Sequence, residues 1–134
     1  MNSVSSPEPD RRQLEITVRS SPSGVVLGLR GQLAMGTAAR LSEELRPVFA
    51  EPYRPRVILD LTELSFCDSS GLGALVGVYK HAHEAGGWLA LTGVHGMPQR
   101  MLHRTGLHQI IPSYPTMAEA EAAMAAQAPD DDAR

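Results

Sequence analysis

Val57-Ile-Leu-Asp-Leu-Thr-Glu-Leu-Ser-Phe-Cys-Asp-Ser-Ser-Gly-Leu-Gly-Ala-Leu-Val-Gly-Val-Tyr79 is the stretch that decides the fold. Val57 to Leu61 is apolar on both faces except for Asp60, the pattern of a central strand covered from one or both sides. A short loop follows. A helix then begins at Ser69 and runs to about Ala85, where Gly86-Gly87 stops it. The arrangement sets a serine hydroxyl beyond the end of a buried strand, at the positive end of a helix. A phosphate added there would be tolerated by the fold and visible to a partner.

Working outward, the pattern alternates between period two and period 3.6. Before the decisive stretch, Leu14, Ile16 and Val18 alternate with polar residues as a half-exposed strand. Ser21-Pro22-Ser23-Gly24 supplies a turn, and Val25 to Leu29 makes the second strand of a hairpin. Thr37 is placed to cap a helix whose apolar positions are Ala38, Leu41, Leu45 and Val48, and Pro47 should kink or end it. After the decisive stretch, Trp88 to Thr92 reads as a strand. Pro98 suits the first turn of a helix through Arg104, with Gly106 beyond its end. His108 to Ile111 reads as a weak last strand, and Thr116 to Glu119 as a capping box opening a helix through about Ala126.

The order ββαβαβαβα predicts a single α/β domain with a mixed, largely parallel sheet edged by an N-terminal β-hairpin. That domain is expected over residues 13–127. Residues 1–12 are expected to be a disordered arm and residues 128–134 an acidic disordered tail.

Composition narrows the function. The 134 residues suffice for one core, and a net charge of -3 without a basic run gives no footprint for nucleic acid. No apolar run approaches the ~20 residues needed to span a bilayer, and residues 1–12 lack the apolar segment of a signal peptide. The expectation is a cytoplasmic protein with neither nucleic acid nor membrane as partner. The single Cys67 excludes an internal disulfide and a multi-cysteine zinc site, and it reads as a structural cysteine.

On the helix after Ser69, the spacing places Leu72, Leu75, Val76, Tyr79 and His83 on the core face. Gly73, Ala74, Gly77, Val78 and His81 fall on the opposite side, which is poor in charge and bulk. Two glycines inside a helix cost ~1 kcal/mol each relative to alanine. Close packing against a neighbouring loop and a flat docking surface for another protein both account for them. Ser69 and Asp68 taken alone read first as helix caps.

Ser65-Phe-Cys-Asp-Ser-Ser-Gly-Leu-Gly-Ala-Leu75 resembles the signature of the STAS domain proteins, bacterial anti-sigma factor antagonists (anti-anti-sigma factors). The resemblance extends over roughly Leu14 to Met124 and includes Arg30-Gly-Gln-Leu33, Val57 to Leu61, and Met101-Leu-His-Arg-Thr-Gly-Leu107. It implies that Ser69, with Ser70 second to it, accepts a phosphoryl group from an anti-sigma factor that is also a serine kinase. A serine phosphatase would reverse the step. It also implies partner switching: the unmodified protein binds the anti-sigma factor and frees a sigma factor for transcription. Partner contacts would fall on Asp68, Ser70, Gly71, Gly73, Ala74, Gly77, Val78 and His81. The chain departs from the family's glycine-acid-leucine-acid segment, because Gln32 and Ala34 stand in place of the acids. The alternative is a STAS-type scaffold or transport-associated subunit indifferent to phosphorylation.

Enzymatic readings lack support in the sequence. Neither serine lies in Gly-x-Ser-x-Gly, and Gly71-Leu-Gly73 lacks the spacing and lysine of a phosphate-binding loop. His81 and His83 point different ways on a helix, and His95, His103 and His108 form no ligand spacing. No catalytic residue, cofactor or metal is expected.

Overall fold

The computed structural model describes residues 13–127 apart from 51–53. The N-terminal arm and acidic tail expected from sequence lie outside the described residues. Strand β1 (Leu14–Ser21) pairs antiparallel with β2 (Gly24–Leu33) across a two-residue turn, Ser21 facing Gly24. Glycine is required at position 24, since a Cβ there would stand 2.3 Å from the Arg56 carbonyl oxygen. Strands β3 (Arg56–Cys67), β4 (Trp88–Thr92) and β5 (Ser113–Tyr114) then add in parallel, each beside the previous one. Helix α1 (Ala38–Phe49) links β2 to β3, α2 (Ser69–Glu84) links β3 to β4, and α3 (Gly96–Thr105) lies between β4 and β5. Helix α4 (Met117–Ala126) ends the described chain.

The period-two alternation sorts the strand residues into two layers. Leu27, Leu29, Val57, Leu59, Leu61, Leu89 and Leu91 face the core shared with Leu41, Leu45, Leu75 and Leu102 of the first three helices. Val26 and Ile58 face the other way, onto Ala120 and Met124 of α4. Strand β3 is therefore buried on both faces, as its composition predicts. Each fully buried aliphatic side chain there contributes roughly 1.5–3 kcal/mol.

Several boundaries differ from the sequence-based expectation. Strand β2 continues past Leu29 to Leu33, and β3 past Leu61 to Cys67, so the expected loop before α2 shrinks to Asp68 alone. Beyond Asp60, β3 loses β4 as a partner but keeps pairing with β2 through register shifts. Those irregularities break the simple alternation by which a strand is read. Helix α1 passes through Pro47 and stops two residues later, with Phe49 buried. A proline so near the end forfeits one hydrogen bond while the last apolar residue still packs. The expected strand at His108–Ile111 is instead a 3-10 turn (Leu107–Gln109) followed by Ile110 and Ile111, and β5 starts at Ser113. Gly106, left-handed at φ 79°, redirects the chain there, and the Leu107 carbonyl accepts from the amides of Ile110 and Ile111.

Helix α2 is also rotated from its expected facing. The buried residues are Gly71, Leu72, Leu75, Val78 and Ala82, while Tyr79 is half-buried and His83 exposed. α2 packs on both the sheet and α1, so its covered arc is wider than one apolar stripe and turns towards α1.

Candidate functional site

The site is assembled from the ends of two neighbouring parallel strands. β2 ends at Leu33 and β3 at Cys67, paired in register, so the loop Ala34 to Gly36 lies beside the start of α2. Asp68 fixes this junction. It is the N-cap of α2 in extended conformation, and one carboxylate oxygen accepts the Gly71 amide at 3.0 Å. Its other oxygen accepts the Met35 amide at 3.2 Å, across the gap to the β2–α1 loop. The cap is therefore Asp68, and Ser69 is the first residue of the helix proper, exposed to solvent.

Thr37 holds the same loop from the other side. It stands at the N-cap position of α1, but its side chain caps nothing there. The buried hydroxyl donates to the Gln32 carbonyl at 2.8 Å and accepts the Ala34 amide at 3.0 Å. Gln32 and Ala34 thus take part in shaping the loop through their backbone. Met35 is left 80% exposed at its tip. A single large apolar residue in a three-residue loop carries no periodic signal, which is why sequence reasoning passes over it.

Of the residues expected to meet a partner, Gly73 and Gly77 are exposed, and a Cβ built on either meets nothing within 4 Å. The packing explanation for these two glycines is overturned, and they form bare helix surface. Asp68, Ser70 and Ala74 are half-buried, and His81 is exposed with its ring 4.9 Å from that of Phe49. Val78 and Gly71 do not join that surface. Val78 is 2% exposed within the core, and a Cβ on Gly71 would stand 2.0 Å from the Leu33 carbonyl oxygen. Gly71 is where α2 meets the end of β2 most closely.

The chemistry available at this junction is that of an exposed serine hydroxyl beside a carboxylate, at the donor-rich end of a helix. Cys67 adjoins it without reactivity, because burial and then the Asp68 charge push its thiol up to about 11. His81 and His83 are separately engaged, the latter against Tyr79 at 5.3 Å between ring centroids. Among the described residues no group of three or more His, Cys, Asp or Glu could hold a metal ion, and no helix is long and apolar enough to cross a membrane.

Comparison with known proteins gives a consistent result. The STAS domain family matches residues 14–120. An anti-sigma F factor antagonist of Paenibacillus polymyxa is 30% identical over 75% of this chain and 86% of that protein. The crystal structure of an anti-sigma factor antagonist from Mycobacterium paratuberculosis superposes with a TM-score of 0.74 at 26% identity, covering 83% of this chain and 93% of the other. The Bacillus cell fate determinant SpoIIAA in its phosphorylated form shares the fold, with a TM-score of 0.65 at 20% identity over 81% of this chain and 98% of that one.

Proposed function

Because the chain belongs to the STAS domain family and is akin to anti-sigma factor antagonists, we propose that it is a phosphorylation-operated switch acting on an anti-sigma factor. The partner is an anti-sigma factor with serine kinase activity in the cytoplasm, and Ser69 is the residue it modifies. Unphosphorylated, the protein holds the anti-sigma factor and releases a sigma factor. A serine phosphatase restores this state.

The observation that carries the reading is the exposed Ser69 at the start of α2, between the Asp68 carboxylate and the bare surface of Gly73 and Gly77. Phosphorylation adds about -1.5 to -2 charges. At a helix N-terminus that charge is stabilised by roughly 0.3–1 kcal/mol, so the fold accepts it. At an interface closed over Asp68, the same charge meets a second anion and must be desolvated, which opposes docking. The chain is the substrate in this scheme, since the nucleotide and the general base come from the partner. The phosphorylated form of SpoIIAA supports the reading by analogy of fold.

The test is phosphopeptide mapping after incubation with ATP and each candidate anti-sigma factor kinase of the same genome. Modification at Ser69 that abolishes complex formation is the expected result. Modification confined to Ser70, or none with any kinase, rejects the assignment. Binding that is equally tight before and after phosphorylation points instead to a scaffold role.

A further inference from the structure

A second concave site lies at the carboxyl ends of β4 and β5, away from Ser69. It has a volume of about 340 Å³, walled by Val94, Leu102 and Ile111, with Gln99, His103 and His108 among its polar groups. Pockets that take small molecules start at roughly 300 Å³ and combine apolar walls with a few convergent polar groups. The carboxyl ends of parallel strands are where open α/β sheets generally bind ligands.

The two imidazoles in it are five residues apart in sequence, on α3 and on the 3-10 turn. The turn at Gly106 stacks them with ring centroids 3.9 Å apart and an interplanar angle of 14°. His108 Nδ1 stands 3.4 Å from the Leu102 carbonyl oxygen. A carbonyl only accepts, so a hydrogen bond here is donated by Nδ1 and leaves Nε2 as the free ring nitrogen. Face-to-face stacking also decides what the pair can hold. Lone pairs lie in the ring planes, and two parallel planes cannot converge on one metal ion. A single proton suits the pair, since an imidazolium over a neutral ring is attracted by it, whereas two charges would repel.

Charge around the site favours an anion as the companion of that proton. From Ala85 to Ala118 the chain contains no Asp or Glu. The other titratable or charged groups on the elements forming the pocket are His95 at the N-cap of α3, Arg100 and Arg104 on α3 and Tyr114 on β5. The neighbouring elements add Asp60 and Glu63 on β3 and Glu119 and Glu121 on α4. None of these lines the pocket, and Asp60 bonds Thr62, Glu63 pairs with Arg30 and Glu121 with Arg19. We propose that this pocket binds a small monocarboxylate with an apolar tail. The carboxylate pairs with the imidazolium shared by His103 and His108, and the tail lies against Val94, Leu102 and Ile111. One proton is taken up on binding, onto an imidazole ring nitrogen, and no covalent bond is made or broken.

Hexanoate is the probe, titrated into the full chain by NMR beside 1-hexanol and hexylammonium. The expected result is a dissociation constant of about 1 mM or tighter, with shifts at both imidazoles and at the Leu102 and Ile111 methyls. Affinity should rise ~10-fold or more between about pH 8 and about pH 5.5, where an imidazole ordinarily takes up its proton. His103→Phe and His108→Phe keep a stacked aromatic ring but cannot take up the proton, and each should lose binding ~10-fold. If either variant melts early, the pH dependence of the wild-type chain decides. Equal binding of hexanol, affinity indifferent to pH, or no shift at these residues overturns the proposal.

Discussion

Asp68 and Met35, 33 residues apart, are joined by a hydrogen bond from the Met35 amide to a carboxylate oxygen at 3.2 Å. The same carboxylate caps α2 through the Gly71 amide at 3.0 Å. One side chain thus ties the β2–α1 loop to the first turn of the helix carrying Ser69. The loop and the helix start are thereby held by two oxygens of one carboxylate.

Asp68→Ala removes both bonds. A lost N-cap costs about 1 kcal/mol, which lowers the melting temperature of a domain this size by roughly 4 °C. Asp68→Asn keeps a good capping oxygen but cannot accept both amides. Its melting temperature should stay within a degree or two of wild type, while exchange of the Met35 amide quickens in both variants. An unchanged Met35 amide in Asp68→Ala refutes the tether.

Ser69 is not the cap, so its replacement is mild for the fold. Ser69→Ala introduces a better helix former at the first helical position and should shift stability by no more than about 0.5 kcal/mol. It should bind the anti-sigma factor as well as wild type does and resist phosphorylation. Ser69→Asp adds a charge beside Asp68 and should bind at least ~10-fold more weakly, as measured by calorimetry. Equal affinity for the two variants contradicts a charge-operated switch.

Neighbouring positions on α2 should respond in opposite ways. Gly77→Arg enters open space and replaces the poorest non-proline helix former, gaining up to about 1 kcal/mol of stability while obstructing the partner. Val78→Arg would drive a charge into the core beside Leu75 and should prevent folding. Gly71→Ala should destabilise by several kcal/mol, the order expected when a buried backbone approach is blocked. Thermal melts of the three variants check the rotation of the helix, and a pull-down with Gly77→Arg checks the docking surface. Undiminished binding by Gly77→Arg removes that surface from the site.

Cys67 should be chemically silent in the folded state. Its thiol is raised from 9.0 to about 11, chiefly by burial, and the residue is 0% exposed. Iodoacetamide near neutral pH should label it only after denaturation. A raised thiol also links stability to pH. The folded state loses none below the unfolded value near 9.0, and loses stability as pH climbs from there towards 11. Rapid labelling of the native chain would show that the thiol is neither buried nor raised.

Much of the fold was legible in sequence because local chemistry specifies it. The apolar runs Val57–Leu61 and Trp88–Thr92, the glycines at 86, 87 and 106, and the Thr116 hydroxyl that accepts the Glu119 amide at 3.1 Å each act within a few residues. They yield the order ββαβαβαβα and put Ser69 at a helix start after a central strand. The Asp-Ser-Ser-Gly-Leu-Gly motif carried the family resemblance in the same local way.

Tertiary structure alone decided what depends on distant partners. A stripe on a helical wheel assumes one packing surface, yet α2 packs on two, so Val78 and Ala82 are buried in place of Tyr79 and His83. Strand β3 reaches Cys67 because β2 offers it a partner, which no property of residues 62–67 announces. Gly71 and Gly77 look alike in sequence, and only the approach of Leu33 makes one indispensable to packing and leaves the other bare. The tether from Asp68 to Met35 and the stacking of His103 on His108 likewise exist only once the strands and turns have brought them together. Periodicity and capping are short-range and sequence-encoded, whereas facing, contact and exposure follow from which surfaces the whole chain buries.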